Sequence, residues 1–307
     1  MIPLDAPGPA ATDSERRGLG ALGRHAGPLR RRLRILGRDP TSMAGLVIVA
    51  IVILVAVVGP WVAPHDPNAI DIVHKFAGPS RRFPLGADYL GRDTLSRLLY
   101  GARQSIQATL IATVSITAIG VILGMLAGFL GGIVDAAISW VVDLLLAFPS
   151  LLLGLAITAV LGPGLGHVTL SIIVVWWTGY ARIVRAAVLA ERNKLYVEAA
   201  AAIGSTSRRT LLRHVLPNIV APIVVYTSLE MGSILLAISA LSFLGLGVNP
   251  PTAEWGAMLS SAKTYIDLDP QLMIYPGAAI FIFALGCNLV GDGLRDFLDP
   301  KTLGDIP

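Results

Sequence analysis

Long apolar runs separated by shorter polar segments dominate the chain. An α-helix rises about 1.5 Å per residue, so crossing the roughly 30 Å hydrocarbon core of a bilayer takes about 20 apolar residues. Six segments meet this requirement, and they predict an all-α polytopic membrane protein with six transmembrane helices. The predicted spans are Met43–Ala63, a helix within 104–134, Ile133–Leu161, Val168–Leu189, Asn218–Leu244 and Gln271–Gly291.

Composition agrees with a bilayer as the main solvent. Of the 307 residues, 54% are hydrophobic and 14% are charged, whereas a soluble domain carries about 25% charged residues. The mean hydropathy is +0.70. Cys287 is the only cysteine, so an intrachain disulfide is excluded.

A basic tail, residues 1–40, precedes the predicted transmembrane domain, residues 41–307. Residues 1–28 are rich in Pro, Gly, Ala and Arg without apolar periodicity, so we expect them to be largely disordered. The arginines between 30 and 38 directly precede the first apolar run, where they can meet anionic headgroups of membrane lipids. A signal peptide fits poorly, because the charged leader and the apolar run are both too long.

The placement of basic residues predicts the orientation of the spans. Six spans put both termini and the segment between spans four and five on one side of the membrane. Lys and Arg are concentrated in the tail and in 182–213 and are sparser on the opposite side. Because basic residues favour the cytoplasmic side, both termini are predicted to be cytoplasmic.

Glycines in the second span predict close helix packing. The spacing Gly124-x-x-x-Gly128 lets another helix approach closely, but it does not identify that helix.

The loop between spans four and five, about 190–217, is longer than a simple antiparallel connection needs. Leu195–Ile203 contains good helix formers and is followed by Gly204, a residue that suits the end of a helix. The segment carries four consecutive alanines, a surface that can fit closely into the groove of another protein.

A second short helix is expected directly after Gly204. Ser205 or Ser207 can cap its N-terminus, and Pro217 suits the first turn of the fifth span. Two short helices are therefore expected across the inner mouth of the bundle. The alternative is a solvated amphipathic hairpin.

The pattern Glu198-Ala199-Ala200-x3-Gly204-x9-His214-x-Leu216-Pro217 resembles the EAA loop of ABC-importer permeases. The family often has Ile where His214 stands, and a His there resembles the dipeptide/oligopeptide branch. The resemblance implies a coupling helix that docks into a cleft of a separate ATPase subunit. It implies that Gly204 allows a sharp turn and that Glu198 fixes the loop through polar contacts. The implied coupling residues are Glu198, Ala199, Ala200, Gly204, His214, Leu216 and Pro217.

Two further segments, 83–103 and 291–300, look like signatures of permeases for peptides and nickel. With the EAA pattern, the resemblance covers roughly residues 40–303. It implies a type I ABC-importer permease fold, and within this family the chain resembles a dipeptide permease C-type subunit. The signature positions are Gly86, Asp88, Gly91, Arg92, Asp93, Ser96, Arg97, Gly101, Asp292, Arg295, Asp296, Asp299 and Pro300.

The sequence contains no phosphate-binding loop of the form G-x-x-x-x-G-K-[ST], so ATP hydrolysis is assigned to another chain. The resemblance implies two ATPase subunits, identical or paired, that bind ATP and Mg. It also implies a second, related permease as heterodimer partner and an extracytoplasmic substrate-binding protein. The chain is then an inner-membrane transport subunit that works by alternating access, with no cofactor, catalytic residue or nucleic acid of its own.

Charged residues inside spans cost about 2.5–3.5 kcal/mol on insertion scales and usually face the bundle interior. Glu230 and Asp143 are therefore candidates for lining the substrate path, where they would meet a peptide amine or order water. The alternative is a structural polar network between helices. Trp177 and Tyr180 are weaker candidates, since aromatic side chains in spans more often pack or anchor at the interface.

The segment 64–104 is long and partly polar. One interpretation is an exterior lip whose Arg81, Arg82, Arg92 and Arg97 match acidic patches on the binding protein. The equal alternative is a folded layer that stabilises the outer mouth. His65, His74 and His167 lack metal-ligand spacing, so no metal site is predicted.

Other functional classes lack their signals. An intramembrane hydrolase would need a nucleophile and base on facing spans or an H-E-x-x-H pair, and a channel would show a repeated polar filter loop; neither is present. Among imported substrates, di- and oligopeptides lead. Nickel, metal chelates and glutathione are the alternatives.

Overall fold

The computed structural model describes residues 40–202 and 204–298. In these ranges the chain is helical, apart from turns and one isolated β-bridge between Ala87 and Asp93, which confirms the predicted all-α class. Residues 1–39 of the basic tail, Ile203 and the signature positions Asp299 and Pro300 lie outside the described residues. The α-helices are α1 (Pro40–Val62), α2 (Thr94–Leu130), α3 (Gly132–Leu146), α4 (Ser150–Leu161), α5 (Leu165–Arg192), α6 (Leu195–Ala202), α7 (Ser207–Thr210), α8 (Leu216–Leu241), α9 (Trp255–Ala262) and α10 (Gln271–Leu298).

Five continuous helical segments in the described ranges are long and apolar enough to cross a bilayer. They are α1, α2, α5, α10 and the run Ser207–Leu246, in which π-helical turns join α7 to α8 and extend α8. These segments agree with five of the six spans predicted from apolar runs.

The third predicted span is broken. Helices α3 and α4 meet at 86°, with Pro149 immediately before α4. Proline lacks a backbone N–H and disfavours helical geometry in the residue before it. The apolar run 133–161, predicted as the third span, is therefore a bent pair of helices.

The tightest packing in the bundle joins α2 to α5. Gly120, Gly124 and Gly128 lie one turn apart on the face of α2 that contacts α5. A Cβ at Gly124 would stand 2.6 Å from the Ala181 carbonyl oxygen, and one at Gly128 would stand 2.9 Å from the Arg185 carbonyl oxygen. Real Cβ atoms do not come so close, so only glycine permits this approach. The glycine spacing predicted from the sequence thus has α5 as its partner.

Helix α10 packs antiparallel to both α1 and α8. Gly45 of α1 lies against Leu289, while Gly232 of α8 lies against Ala284. The start of α1, the start of α8 and the end of α10 consequently lie at the same end of the bundle as α6. We call this the α6 end, and we call the opposite end, which holds the 63–93 segment and α9, the α9 end.

A buried charge cluster organises the α9 end. The Asp88 carboxylate accepts a hydrogen bond from Arg92 Nε at 2.7 Å, and Arg97 Nε lies 3.6 Å from it. Arg97 also donates to the carbonyl oxygens of Pro67 and Pro251. Arg92 and Arg97 are 3% and 6% exposed, which supports a folded layer for these two arginines and rules them out as a surface for the binding protein.

Other residues of the first signature cap α2 and form turns in the 83–93 segment. Asp93 caps α2 by accepting from the Ser96 amide at 3.0 Å and from the Ser96 hydroxyl at 2.6 Å. The signature glycines Gly86 and Gly91 have φ angles of +81° and +74°, a region that favours glycine. Arg81 and Arg82 remain exposed.

Helix α9 was absent from the sequence analysis. Its N-cap, Glu254, accepts hydrogen bonds from the Gly256 and Ala257 amides and from the Ser105 hydroxyl, each at 2.9 Å. Signature residue Gly101 makes room for this helix, since a Cβ there would stand 3.0 Å from the Trp255 ring. These contacts fix α9 against α2.

Candidate coupling surface and polar sites within the spans

The segment between α5 and α8 forms two short helices, as the sequence predicts. Helix α6 ends at Ala202, and Gly204 turns the chain with φ +85°. The capping prediction was wrong: α7 has Thr206 at its N-cap without a side-chain hydrogen bond. Ser207 is the first helical residue, and the Ser205 hydroxyl accepts from Thr210 at 3.1 Å.

One face of α6 points away from the bundle. Leu195 is 82% exposed, and Glu198, Ala199 and Ala202 are exposed with it. Spacings of three and four residues place these four side chains on one side of a helix. We call this set the α6 outer face; it has an apolar, small-residue centre next to one carboxylate.

The other side of α6 rests on the bundle. Val197 is 6% exposed and Ala200 is 7% exposed. Ala200 therefore anchors the helix, and of the predicted alanine run Ala199 and Ala202 lie on the outer face. Leu195, which the sequence analysis did not single out, is the largest exposed side chain of this face.

A hydrogen-bonded network holds the base of α6. The Tyr196 hydroxyl donates to the Glu191 carboxylate at the end of α5. Asn218, in the first turn of α8, donates to the Tyr196 hydroxyl at 3.0 Å and to the His214 carbonyl oxygen at 2.7 Å. Lys194 Nζ lies 2.6 Å from Glu191. This network links α5, α6 and α8 through side chains.

Electrostatics keep the central phenol of this network protonated. Partial burial and the neighbouring Glu191 carboxylate raise the pKa of Tyr196. A protonated hydroxyl donates to the carboxylate and accepts from Asn218 at the same time.

A third span is tied to the same base through Arg192. Its Nη1 donates to the carbonyl oxygens of Gly128 at 3.0 Å and Phe129 at 3.2 Å. These are last-turn carbonyls of α2, which lack partners within their own helix. Displacement of the α5–α6 junction is therefore opposed by α2 as well as by α8.

The sequence-predicted coupling residues divide into three groups, one of which is Ala200, buried against the bundle. Glu198 and Ala199 lie on the α6 outer face, and no hydrogen bond or ion pair involves the Glu198 side chain in the described residues. The expectation that Glu198 fixes the loop is thus corrected, since Glu191, Tyr196 and Asn218 do so. Gly204, His214, Leu216 and Pro217 lie in the turn and at the start of α8, where Pro217 occupies the first turn as predicted.

Trp177 and Tyr180 pack inside the chain. They are 9% and 1% exposed and belong to a hydrophobic cluster that includes Ile116, Ile234 and Ile238. Their burial favours the packing interpretation over a place on the substrate path.

Glu230 lies near the middle of α8 and is half-buried. One turn away, Tyr226 packs edge-on against Tyr180 with ring centroids 4.7 Å apart. Thr227, three residues before Glu230 on α8, has its hydroxyl 3.4 Å from the hydroxyl of Thr117 on α2. These groups form a polar strip where α2, α5 and α8 meet.

Asp143 pairs with an arginine across helices. Arg182 Nη2 of α5 lies 2.9 Å from Asp143 Oδ1 of α3. A second pair on the same two helices is bidentate: Arg185 Nε and Nη2 lie 2.5 Å and 2.6 Å from the Asp135 oxygens. Four charges within predicted spans are thereby matched in pairs.

The described part of the C-terminal signature lies at the α6 end. Asp292, Arg295 and Asp296 are exposed in the last turns of α10. Their spacing puts them on one side of that helix, and the intervening Gly293 lies against Ser42 near the start of α1.

Comparison with protein families gives two matches. Residues 120–304 match the family described as "Binding-protein-dependent transport system inner membrane component". Residues 27–79 match the N-terminal TM domain of oligopeptide transport permease C.

Curated relatives match along most of their length. The chain is 41% identical to the probable D,D-dipeptide transport system permease protein DdpC of Escherichia coli strain K12, over 88% of this chain and 91% of that protein. It is 41% identical to the di/tripeptide transport system permease protein DppC of Pseudomonas aeruginosa strain UCBPP-PA14, covering 89% and 92%. Identity to the glutathione transport system permease protein GsiD of Escherichia coli O157:H7 is also 41%, covering 87% and 88%.

Proposed function

The chain belongs to the family of binding-protein-dependent transport system inner membrane components, and on that basis we propose that it carries di- and oligopeptides into the cell. It is a permease subunit of an ABC importer. Motion of its helices is driven from outside the chain, at the α6 outer face. The observation that carries this proposal is an exposed short helix whose base is hydrogen-bonded to three spans.

The motor is a pair of ATPase subunits, identical or related, that bind ATP and Mg. The α6 outer face inserts into a cleft of one ATPase, with Leu195, Ala199 and Ala202 as the apolar contact and Glu198 as the polar one. A second, related permease presents its own short helix to the other ATPase. The chain itself carries no ATPase site.

Force passes from α6 into the bundle through its base. When the ATPases close, α6 is displaced, and the Glu191–Tyr196–Asn218 network moves the end of α5 and the start of α8 with it. Arg192 carries the end of α2 along through its bonds to the last-turn carbonyls. A cavity between the two permeases then opens outward, and reopening of the ATPases returns it inward.

This mechanism requires the α6 end to face the cytoplasm, where ATP is available. The concentration of basic residues in the tail and in 182–213 supports that orientation. Both termini are then cytoplasmic, and the α9 end meets the extracytoplasmic binding protein. Arg81 and Arg82, which are exposed there, are available to pair with acidic groups on that protein.

Peptides are the proposed cargo because the relatives are named for D,D-dipeptides and for di- and tripeptides. Glutathione is the second candidate, since a permease named for it is equally similar at 41% identity. Nickel and metal chelates are the remaining candidates, and ATP-dependent uptake of a labelled dipeptide distinguishes peptide import from import of these ions.

The test uses the full complex, with both permeases, the ATPases and the binding protein, in proteoliposomes. We expect ATP-dependent uptake of a labelled dipeptide, and we expect Glu198→Arg to reduce binding-protein-stimulated ATPase and uptake by about tenfold. A reversed charge would stand in the cleft that the carboxylate occupies, and a lost charge-assisted hydrogen bond is worth about 1.5–3 kcal/mol.

Glu198→Gln serves as the matched variant, because it keeps size and hydrogen-bonding capacity, and a smaller loss is expected. Uptake that needs no ATP, or full stimulation in Glu198→Arg, would contradict the proposal.

A further inference from the structure

Two ion pairs join α3 to α5, and they differ in how they are built. The Asp135–Arg185 pair is bidentate, and Asp135 also accepts from Ser139 at 3.1 Å. The Asp143–Arg182 pair has a single contact at 2.9 Å. We call the first pair closed, because two contacts fix its geometry, and the second pair open, because it has one contact.

Exposure separates the pairs further. The side chains of Asp143 and Arg182 are 69% and 60% exposed, against 19% and 37% for Asp135 and Arg185. Among the described residues, the contact with Asp143 Oδ1 is the sole hydrogen bond made by the Arg182 guanidinium, which carries five N–H donors. Asp143 Oδ2 has no hydrogen-bond partner in the same part of the chain.

This open pair lies deep in the spans. Arg182 is about 15 Å from the end of α5 at Arg192, and Asp143 is about 16 Å from the start of α3 at Gly132. Charges at such depth are costly against lipid and face a bundle interior or a water-filled cavity. The exposed side of the pair is therefore expected to face the interior of the assembled bundle or a water-filled cavity, and not hydrocarbon.

A pocket stands at this point, about 250 Å³ in volume, with small side chains of Ala127 and Ala181 in its wall. Arg182 and Asp143 both line it. Arg185 lines it as well, but its Nε and Nη2 groups are bound to Asp135. Arg182 and Asp143 therefore present unused donor and acceptor atoms a few ångströms apart, next to small apolar surface.

We propose that Arg182 and Asp143 form a transient binding site for the charged ends of a zwitterionic peptide, with the guanidinium taking the carboxylate and the aspartate taking the ammonium group. The exchange is neutral overall: one intrachain ion pair opens, and two pairs to the passing peptide replace it. Each new contact is a charge-assisted hydrogen bond of the kind that recognises carboxylate and ammonium groups. The Asp135–Arg185 pair remains closed and holds α3 on α5 throughout.

This inference rests on the proposed import of peptides, so the test first requires ATP-dependent uptake of labelled alanyl-alanine by the wild-type complex in proteoliposomes. Absence of that uptake would defeat the proposed function. The inference itself is tested by Arg182→Gln, Asp143→Asn, the double variant and the exchange Arg182→Asp/Asp143→Arg, with uptake divided by the amount of assembled complex.

If the pair meets the peptide, each single variant lowers uptake about tenfold. The double variant is lower still, and the exchange does not restore uptake. ATPase stimulation by the loaded binding protein persists in all four. Asp135→Asn is the matched comparison on the same helices, and we expect it to lower the yield of assembled complex while uptake per complex is kept.

A purely structural pair gives the opposite pattern. The double variant would then be no worse than the single ones, and the exchange would restore assembly and uptake. Either result, or single variants with unchanged uptake, overturns the inference.

Discussion

At the scale of single residues, the Tyr196 hydroxyl holds the base of α6 together. It donates to Glu191 of α5 and accepts from Asn218 of α8. No sequence motif marked these three residues. The EAA resemblance points to Glu198 and Gly204 because such patterns record positions along the chain, whereas this network joins side chains from three different helices.

Tyr196→Phe removes the hydroxyl while keeping the ring. Glu191 loses a hydrogen bond and Asn218 loses an acceptor, at a cost of about 1–3 kcal/mol. We expect the complex to assemble and to hydrolyse ATP but to import several-fold less peptide per ATP, measured in proteoliposomes.

Tyr275→Phe is the matched control. It deletes a tyrosine hydroxyl whose described bond is to Gln271, one turn away at the α9 end. Equal losses of coupling in the two variants would mean that the network at the base of α6 has no special part in transmission.

The resemblance marked the residues of the Asp88 cluster but did not indicate that they are buried. Asp88, Arg92 and Arg97 were singled out as signature residues, but their family pattern does not say whether they face a partner or each other. The structure buries them in mutual ion pairs. Burying an arginine requires such a partner, and a sequence alone does not reveal burial in a loop.

At the scale of elements, Gly204 sets the angle between α6 and α7. Its φ of +85° lies in the left-handed region, which costs other residues roughly 1 kcal/mol or more. Among the described residues, no atom lies within 4 Å of a Cβ built on this residue, so Gly204→Ala tests backbone strain alone.

We expect Gly204→Ala to lower uptake by up to about fivefold. A strain of roughly 1 kcal/mol in the turn lowers the equilibrium constant for the docking orientation of α6 by about that factor. The readout is binding-protein-stimulated ATPase together with uptake. Gly166→Ala is the control, since it also meets open space but has an ordinary helical φ, and we expect it to behave as wild type. Wild-type uptake and ATPase stimulation in Gly204→Ala would contradict the claim that the turn at Gly204 orients α6 for docking.

Apolar run length predicted the spans well where helices are straight. It predicted the third span over 133–161 but not the 86° bend between α3 and α4, because Pro149 is compatible with either a kink or a break until the packing against α5 is known. It also failed for α9, whose eight residues are too short to give a clear apolar period. That helix is fixed by contacts of Glu254 and Trp255 with α2, distant in sequence.

At the scale of the whole molecule, the two ends of the bundle have different construction. The α9 end is cross-linked by buried charges around Asp88 and by the capped helix α9. The α6 end presents an exposed helix on a hydrogen-bonded base that reaches α2, α5 and α8. This difference suits the proposed arrangement, in which the ATPases bind the α6 end and the binding protein meets the α9 end.

The most direct measurement is a cross-link from the α6 outer face to the ATPase in the intact complex. Ala199→Cys places a thiol on this face, while the natural Cys287 is buried at 0% exposure and does not react. Val73→Cys, at a side chain 89% exposed on the α9 end, is the control. The account predicts that a short thiol-reactive photo-cross-linker joins Ala199→Cys, and not Val73→Cys, to an ATPase subunit; failure at Ala199→Cys, or capture of the ATPase from Val73→Cys, would contradict it.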